Sequence, residues 1–426
     1  MNLIIEKTQS LQGEAFIPGS KSQTIRGIIF GSLAKGTSEI KNPLISADTL
    51  AAVNGCRDLG AKIDVSNNNS WVVEGFDGNP FQPYKILDLG NSGTSLNLLT
   101  GISSLGNFKV TLNGDSSLRQ RPLQPLLDAL NTLGAKAISV NNNSCPPIEI
   151  TGKIKGGRTK VDGISSQFVS SLLITTPLAE RNTQIEVVNI HEKPYIDMTL
   201  NWLNEQNIRY EKSDDLTFFN IEGSQHYSSF IKNIPGDWSS ATFLIVAGAI
   251  TKSDILLKGL DINDTQGDKE VIKYLEKMGA DIKVEAEGIR IKGRELTGTD
   301  IDLNNTPDAL PALAVVGCFA KGTTTLCNVA HARIKETDRI KVMTQELIKM
   351  GADIRETQDG MIIKQSNLKG TTVDGHYDHR VIMALSLAGL ISEGKTSISS
   401  SEAINITFPT FVKLMESLGA KIKMEV

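Results

Sequence analysis

One pentapeptide is written five times along this chain. Leu59-Gly60-Ala61-Lys62-Ile63, Leu133-Gly134-Ala135-Lys136-Ala137, Met278-Gly279-Ala280-Asp281-Ile282, Met350-Gly351-Ala352-Asp353-Ile354 and Leu418-Gly419-Ala420-Lys421-Ile422 recur about every 70 residues or twice that, the signature of a repeated supersecondary unit. The rhythm places a degenerate sixth copy at Asn204-Glu205-Gln206-Asn207-Ile208, with Glu205 in the glycine position. Each copy ends an amphipathic run, such as residues 271–278, and opens an alternating one, such as Ile282-Lys283-Val284. The glycine is therefore expected to close a helix in the left-handed region and release the chain into a strand. Glu205 in that role is expected to cost some stability, offset in part by Asn204.

A second helix recurs in every period, at residues 26–33, 96–102, 168–175, 241–249, 309–318 and 381–390. These runs are apolar on nearly all sides, so they are expected to be buried. Alternating strands follow most of them. The unit reads strand, buried helix, strand, surface helix, strand. Six such units divide into two lobes of three, an α/β chain with helices inside and sheets outside.

At 426 residues the chain exceeds one ordinary core, which also argues for more than one domain. A formal net charge of −4 and a pI near 5.9 speak against a nucleic-acid partner, so any anionic ligand must be held by placed residues and not by the overall field. No apolar run is long enough to span a bilayer, and the first 16 residues lack a signal-peptide core, so no membrane partner and a cytoplasmic location are expected. Cys56, Cys145, Cys318 and Cys327 lie far apart without a CxxC pair. They read as buried structural thiols, with neither zinc nor disulfide. Asp, Glu and His are not grouped at ligand spacing, so no metal is expected.

The six helix mouths carry more charge than capping needs. They read Gly19-Ser20-Lys21-Ser22, Gly90-Asn91-Ser92-Gly93-Thr94, Ile164-Ser165-Ser166-Gln167, Gly236-Asp237-Trp238-Ser239-Ser240, Thr306-Pro307-Asp308-Ala309 and Tyr377-Asp378-His379-Arg380. Unpaired first-turn N–H groups, the positive ends of the helix dipoles and nearby Lys and Arg would together seat phosphates or carboxylates.

Eight stretches in order then resemble the EPSP synthase (3-phosphoshikimate 1-carboxyvinyltransferase) family: Pro18-Gly-Ser-Lys-Ser with Arg26, Leu89-Gly-Asn-Ser-Gly-Thr94, Arg121-Pro122, Ser165-Ser-Gln167, Lys193-Pro-Tyr-Ile-Asp197, Pro307-Asp308, Arg333-Ile-Lys-Glu-Thr-Asp-Arg339 and Asp378-His-Arg380. The resemblance covers essentially the whole chain. It implies two similar lobes, each of three βαβαββ units with buried parallel helices and outer sheets, an inside-out α/β barrel that closes over substrate. It implies boundaries at residues 1–18 with 236–426 and at 19–235, the first lobe carrying the catalytic carboxylates and the second the acceptor-phosphate seat.

The implied reaction moves the enolpyruvyl group of phosphoenolpyruvate to the 5-hydroxyl of shikimate 3-phosphate, releasing phosphate, in aromatic amino-acid biosynthesis. Carried over residue by residue, Asp308 is the base, and Glu336 and Lys21 are the proton shuttles. Lys21, Ser22, Arg26, Ser165, Ser166, Gln167, Tyr195, Asp308 and Lys335 resemble the shikimate 3-phosphate site. Lys21, Gly93, Arg121, Gln167, Arg339, His379 and Arg380 resemble the phosphoenolpyruvate site, where arginine forks suit carboxylate and phosphate. The resemblance implies no cofactor and a monomer.

Four positions depart from the commonest family pattern: Asn97 in place of an arginine, Glu192 in place of a serine, His331 in place of an asparagine and Ile406 where one branch has lysine. Glu192 is the most awkward, because a carboxylate repels a phosphate beside it. These departures leave room for a paralogue with another acceptor. An enzyme acting on a UDP-linked amino sugar would need a cysteine in the second unit's mobile loop, and residues 114–121 have none. A non-catalytic anion binder of the same fold is the remaining alternative, against which Lys21, Asp308, Glu336, Arg339 and His379 speak.

Overall fold

The computed structural model describes residues 1–425, a mixed α/β chain. It separates into two compact units, one formed by Gly19–Pro235 and the other by Met1–Pro18 with the chain from Gly236 onward. Each has its own apolar core.

In the 19–235 unit the described strands form three four-stranded sheets. The most regular runs Gly157–Asp162, Thr183–Val188, Phe218–Ile221, Tyr210–Lys212. Its first two strands are parallel and the other pairings antiparallel. A parallel pair needs a crossover, and the buried helix Ser166–Thr175 supplies it. The helix Gly93–Ser103 does the same between Leu87–Asp88 and Lys109–Asn113. In the third sheet, Thr37–Lys41 takes its parallel neighbour from the far end of the unit, Ile231–Asn233.

That exchange leaves the first two strands of the chain for the other unit. Gln12–Phe16 lies parallel to Asp254–Lys258, and Asn2–Glu6 pairs antiparallel with both Lys395–Ser399 and Ile422–Glu425. Strict in-order units therefore fail at the two ends, where pairing between distant segments completes a sheet. The second unit again has three four-stranded sheets among its described residues.

Burial explains the all-round apolar runs. In the helix Trp238–Ile250 every residue except Ser239 is buried. Close approach to the sheets needs small residues. A Cβ on Gly317 would lie 2.9 Å from Ile363, and one on Gly389 would lie 2.9 Å from Ile5. The helix Gln124–Thr132 instead buries one stripe, Leu126, Leu127, Ala129 and Leu130.

Gly60, Gly134, Gly279, Gly351 and Gly419 all follow helices with φ between +93° and +109°, as the repeat requires. The sixth copy corrects the expected register. Glu205 is still helical, at the end of Lys193–Glu205, and the left-handed residue is Asn207 at φ +55°. Asparagine tolerates that region, so the cost foreseen for Glu205 does not arise. Cys56, Cys145 and Cys318 are buried, and burial pushes the Cys56 and Cys318 thiols up to about 12. Cys327 is only half-buried, a departure from the expectation for all four. Ile406 packs at the edge of the second unit's core.

Candidate active site

Five of the six buried helices are capped by the side chain their sequence offers: Ser20, Ser92, Ser165, Asp237 and Asp378. The sixth differs. Asp308 sits in the short 3₁₀ turn Pro307–Ala309 that leads into Leu310–Phe319, and neither turn nor helix has a side-chain cap. Its carboxylate is spent on arginines. Oδ1 accepts from Arg339 Nη1 at 2.7 Å, and Oδ2 pairs with Arg380 Nη2 at 2.9 Å.

Arg339, at the first turn of Arg339–Lys349, is fully buried and serves three carboxylates. Its Nε and Nη2 donate to Asp378 at 2.8 and 3.2 Å, and Nη2 also donates to Glu336 at 2.6 Å. Asp378 caps His379–Ile391 by accepting the Arg380 N–H at 2.9 Å, and it accepts from Thr337 Oγ1 at 3.1 Å. It thus ties the helix that carries Arg380 to the side chain of Arg339. Arg380 Nη2 donates to Ser239 Oγ at 2.7 Å, and Nη1 lies 2.6 Å from His379 Nε2. A guanidinium has no acceptor, so Nε2 is the acceptor in this contact.

The electrostatics follow from that geometry. Burial pushes the Asp308 carboxyl up, but Arg380, Arg339 and Lys335 outweigh it and hold the group well below the usual carboxylate range. Burial pulls Arg339 down, and Asp378, Glu336 and Asp308 more than restore it, leaving its pKa above the ordinary value. Three carboxylates thus lie among three cations, with Arg339, Asp378 and Arg380 buried and Asp308, Glu336 and Lys335 partly exposed. Forked donors here can take an incoming carboxylate or phosphate, and an anion that shares them releases Asp308 to accept a proton.

In the 19–235 unit the residues singled out from the sequence gather at the three helix mouths. Lys21 Nζ pairs with Asp48 Oδ2 at 3.1 Å, and the Asp48 carbonyl accepts from Ser95 Oγ in the first turn of Gly93–Ser103. A Cβ on Gly93 would lie 2.9 Å from Arg121 Nη1, so glycine lets that guanidinium reach the backbone. Arg121 Nη2 donates to Asn91 Oδ1 at 2.7 Å and to Ser117 Oγ at 3.2 Å. Gln167 donates to Thr94 Oγ1 at 3.0 Å and accepts from Asn97 Nδ2 at 2.6 Å. The asparagine that departs from the family pattern therefore orients a residue expected at the phosphoenolpyruvate site.

Arg26 is 2% exposed. Its donors reach Thr199 Oγ1 at 3.0 Å, the Ser22 carbonyl at 3.2 Å, the Tyr195 carbonyl at 3.1 Å and Ser170 Oγ at 3.4 Å. It joins three helices, and burial pulls its pKa down to about 10 against an upward pull from Tyr195. Ser165 is half-buried, while Ser166 and Glu192 are buried together. Ser166 Oγ donates to Glu192 Oε2 at 2.8 Å.

Sequence reasoning passed over Asp378, Asp48 and Ser239 as site groups. Asp378 stood in a quoted motif, and a cap that leaves one carboxylate oxygen spare beside two arginines was the available signal. Asp48 and Ser239 are ordinary first-turn residues whose partners lie far off in the chain, so no local pattern marks them. His331 is buried in the 3₁₀ segment Ala330–Ile334. Among the described residues no three His, Cys, Asp or Glu side chains are grouped as a metal would need, and no helix is long and apolar enough to cross a membrane.

A profile described as EPSP synthase (3-phosphoshikimate 1-carboxyvinyltransferase) matches residues 5–415. A 3-phosphoshikimate 1-carboxyvinyltransferase from Acetivibrio thermocellus is 52% identical over 422 residues, covering 99% of both chains. One from Ruminiclostridium cellulolyticum is 47% identical over 424 residues, covering 100% of both. Among solved structures, an EPSP synthase from Acinetobacter baumannii matches with a TM-score of 0.84 and 31% identity over 100% of both chains. With its full length matched in sequence and in fold, the chain belongs to the EPSP synthase family.

Proposed function

We infer that this protein transfers the enolpyruvyl group of phosphoenolpyruvate to the 5-hydroxyl of shikimate 3-phosphate and releases phosphate. The observation that carries the assignment of chemistry to residues is the Asp308 carboxylate held by both Arg339 and Arg380, with Glu336 on the same Arg339. The hydroxyl oxygen bonds to the enol carbon of phosphoenolpyruvate as Asp308 takes its proton. A proton from Glu336 or Lys21 goes to the methylene carbon, giving a tetrahedral adduct. The methyl group so formed then returns a proton to the same residue as the C–O bond to phosphate breaks, which restores the double bond, and the proton held by Asp308 leaves with the phosphate.

Arg339, Arg380, Arg121 and Lys21 hold phosphoenolpyruvate, with Gly93, Gln167 and His379. Lys21, Ser22, Arg26, Ser165, Ser166, Gln167, Tyr195, Asp308 and Lys335 hold the acceptor. Fixed cations oppose the repulsion between two polyanions and place the reacting atoms together. The same reading makes each unit three βαβαββ repeats with parallel buried helices inside and sheets outside, supported by helices buried on all sides. It makes the enzyme a cytoplasmic monomer with no cofactor. Phosphate release from phosphoenolpyruvate, assayed with shikimate 3-phosphate and with a panel of hydroxylated acids and phosphosugars, tests it. Release with shikimate 3-phosphate is expected, and release only with another acceptor would overturn it.

A further inference from the structure

Glu192 occupies a place that an anionic ligand would want. It precedes Lys193–Glu205 with its own backbone left-handed, at φ +53°. Its carboxylate accepts from Ser166 Oγ at 2.8 Å and from the Ser166 N–H at 3.4 Å. Those donors stand at the first turn of the ten-residue helix Ser166–Thr175, where the dipole and the unpaired N–H groups favour negative charge. Ser166 is 1% exposed and Glu192 2%, so the serine is sealed from solvent while the glutamate is in place.

A phosphate oxygen cannot bind Ser166 beside that carboxylate without repulsion between like charges in a site sealed from water. The hydroxyl cannot serve both, since it has one proton to donate. Building on the reading that Ser166 contacts the acceptor, we propose that Glu192 sets the acceptor's affinity as an internal anion that the acceptor's phosphate must displace from Ser166. Displacement costs the acceptor its share of binding energy without touching the reacting carbons. Glu192 therefore weakens the acceptor's affinity and leaves the chemical step unchanged.

The test compares the whole enzyme with Glu192→Gln and Glu192→Ser by calorimetric titration with shikimate 3-phosphate and by steady-state phosphate release. Glu192→Gln keeps a carbonyl for the Ser166 donors, so it guards against a folding defect in the serine variant. The expected result is a Kd and an acceptor KM at least about tenfold lower in both variants, with kcat and the phosphoenolpyruvate KM within about twofold. Unchanged or weaker acceptor binding in Glu192→Gln overturns the proposal, whatever the wild type does. Wild-type turnover with this acceptor together with unchanged variants sinks the role of Glu192 alone. Silence of the wild type and both variants toward shikimate 3-phosphate, in binding and in turnover, sinks the acceptor assignment as well.

Discussion

Exchanging Arg339 for lysine keeps the charge and removes the fork. The guanidinium meets Asp378, Asp308 and Glu336 through three different nitrogens. A single ammonium cannot stand within hydrogen-bond reach of all three. Asp308 keeps Arg380, so the cost is set by the fully buried Asp378 when it is the group that loses Arg339. An unpaired buried charge costs about 3–5 kcal/mol. The stranded group can take up a proton instead, at about 1.36 × (7 − 3.9), or roughly 4 kcal/mol, for an aspartate at pH 7. The smaller cost sets the loss, about 3–4 kcal/mol at pH 7.

At pH 5 the proton costs only about 1.5 kcal/mol, and the loss shrinks to that. The sign is fixed by the variant, where the stranded carboxyl has its folded pKa raised and loses stability as pH rises. In the wild type the Asp308 carboxyl is depressed, so its contribution is full above the ordinary carboxylate range and is lost only as pH falls below it. Urea titrations of both proteins at pH 7 and pH 5, read by amide exchange in peptides from Leu310–Phe319 and His379–Ile391, measure the difference in the unit concerned. A destabilisation under about 1 kcal/mol at pH 7, or one equal at both pH values, would refute the claim that Arg339 is the cation that neutralises buried Asp378.

Phosphoenolpyruvate should shift the titration of Asp308. Its anionic groups share Arg339 and Arg380, which lifts the depressed carboxyl, so the acid limb of kcat is expected at higher pH than the acid limb of kcat/KM for phosphoenolpyruvate; coincident limbs would contradict this. At the sixth repeat, exposed Asn207 holds φ +55° without packing constraints. Asn207→Gly is expected to be neutral or to stabilise by up to about 1 kcal/mol, and Asn207→Val to destabilise by about 1–2 kcal/mol, read from thermal midpoints.

The repeat was legible because its signals are local. A glycine after an amphipathic run and an apolar helix of fixed length announce themselves within ten residues, and the five glycines sit where that pattern puts them. The degenerate copy misled by two residues because spacing was followed in place of conformation, and Asn207 was the local clue. The strand exchanges at Asn2–Glu6, Gln12–Phe16 and Ile231–Asn233 could not be read, since nothing in a short strand names its distant neighbour. Asp308, Glu336, Arg339 and Arg380 do converge, three of them placed by the start of an element and Glu336 by the bend before Arg339–Lys349. What joins them, Asp378, was hidden because its capping role sufficed to explain it. Glu192 was visible as a departure, yet its burial against Ser166 depends on a left-handed backbone that no sequence pattern announces.

The most direct measurement is a single-turnover rapid-quench experiment on Asp308→Asn with shikimate 3-phosphate and phosphoenolpyruvate. Asparagine keeps one oxygen for Arg339 or Arg380 and loses the capacity to hold a proton. Both substrates are expected to bind within about tenfold of wild type while phosphate and product form at least about 10²-fold more slowly. Near wild-type formation, or a loss confined to binding, would contradict the assignment of Asp308 as the base.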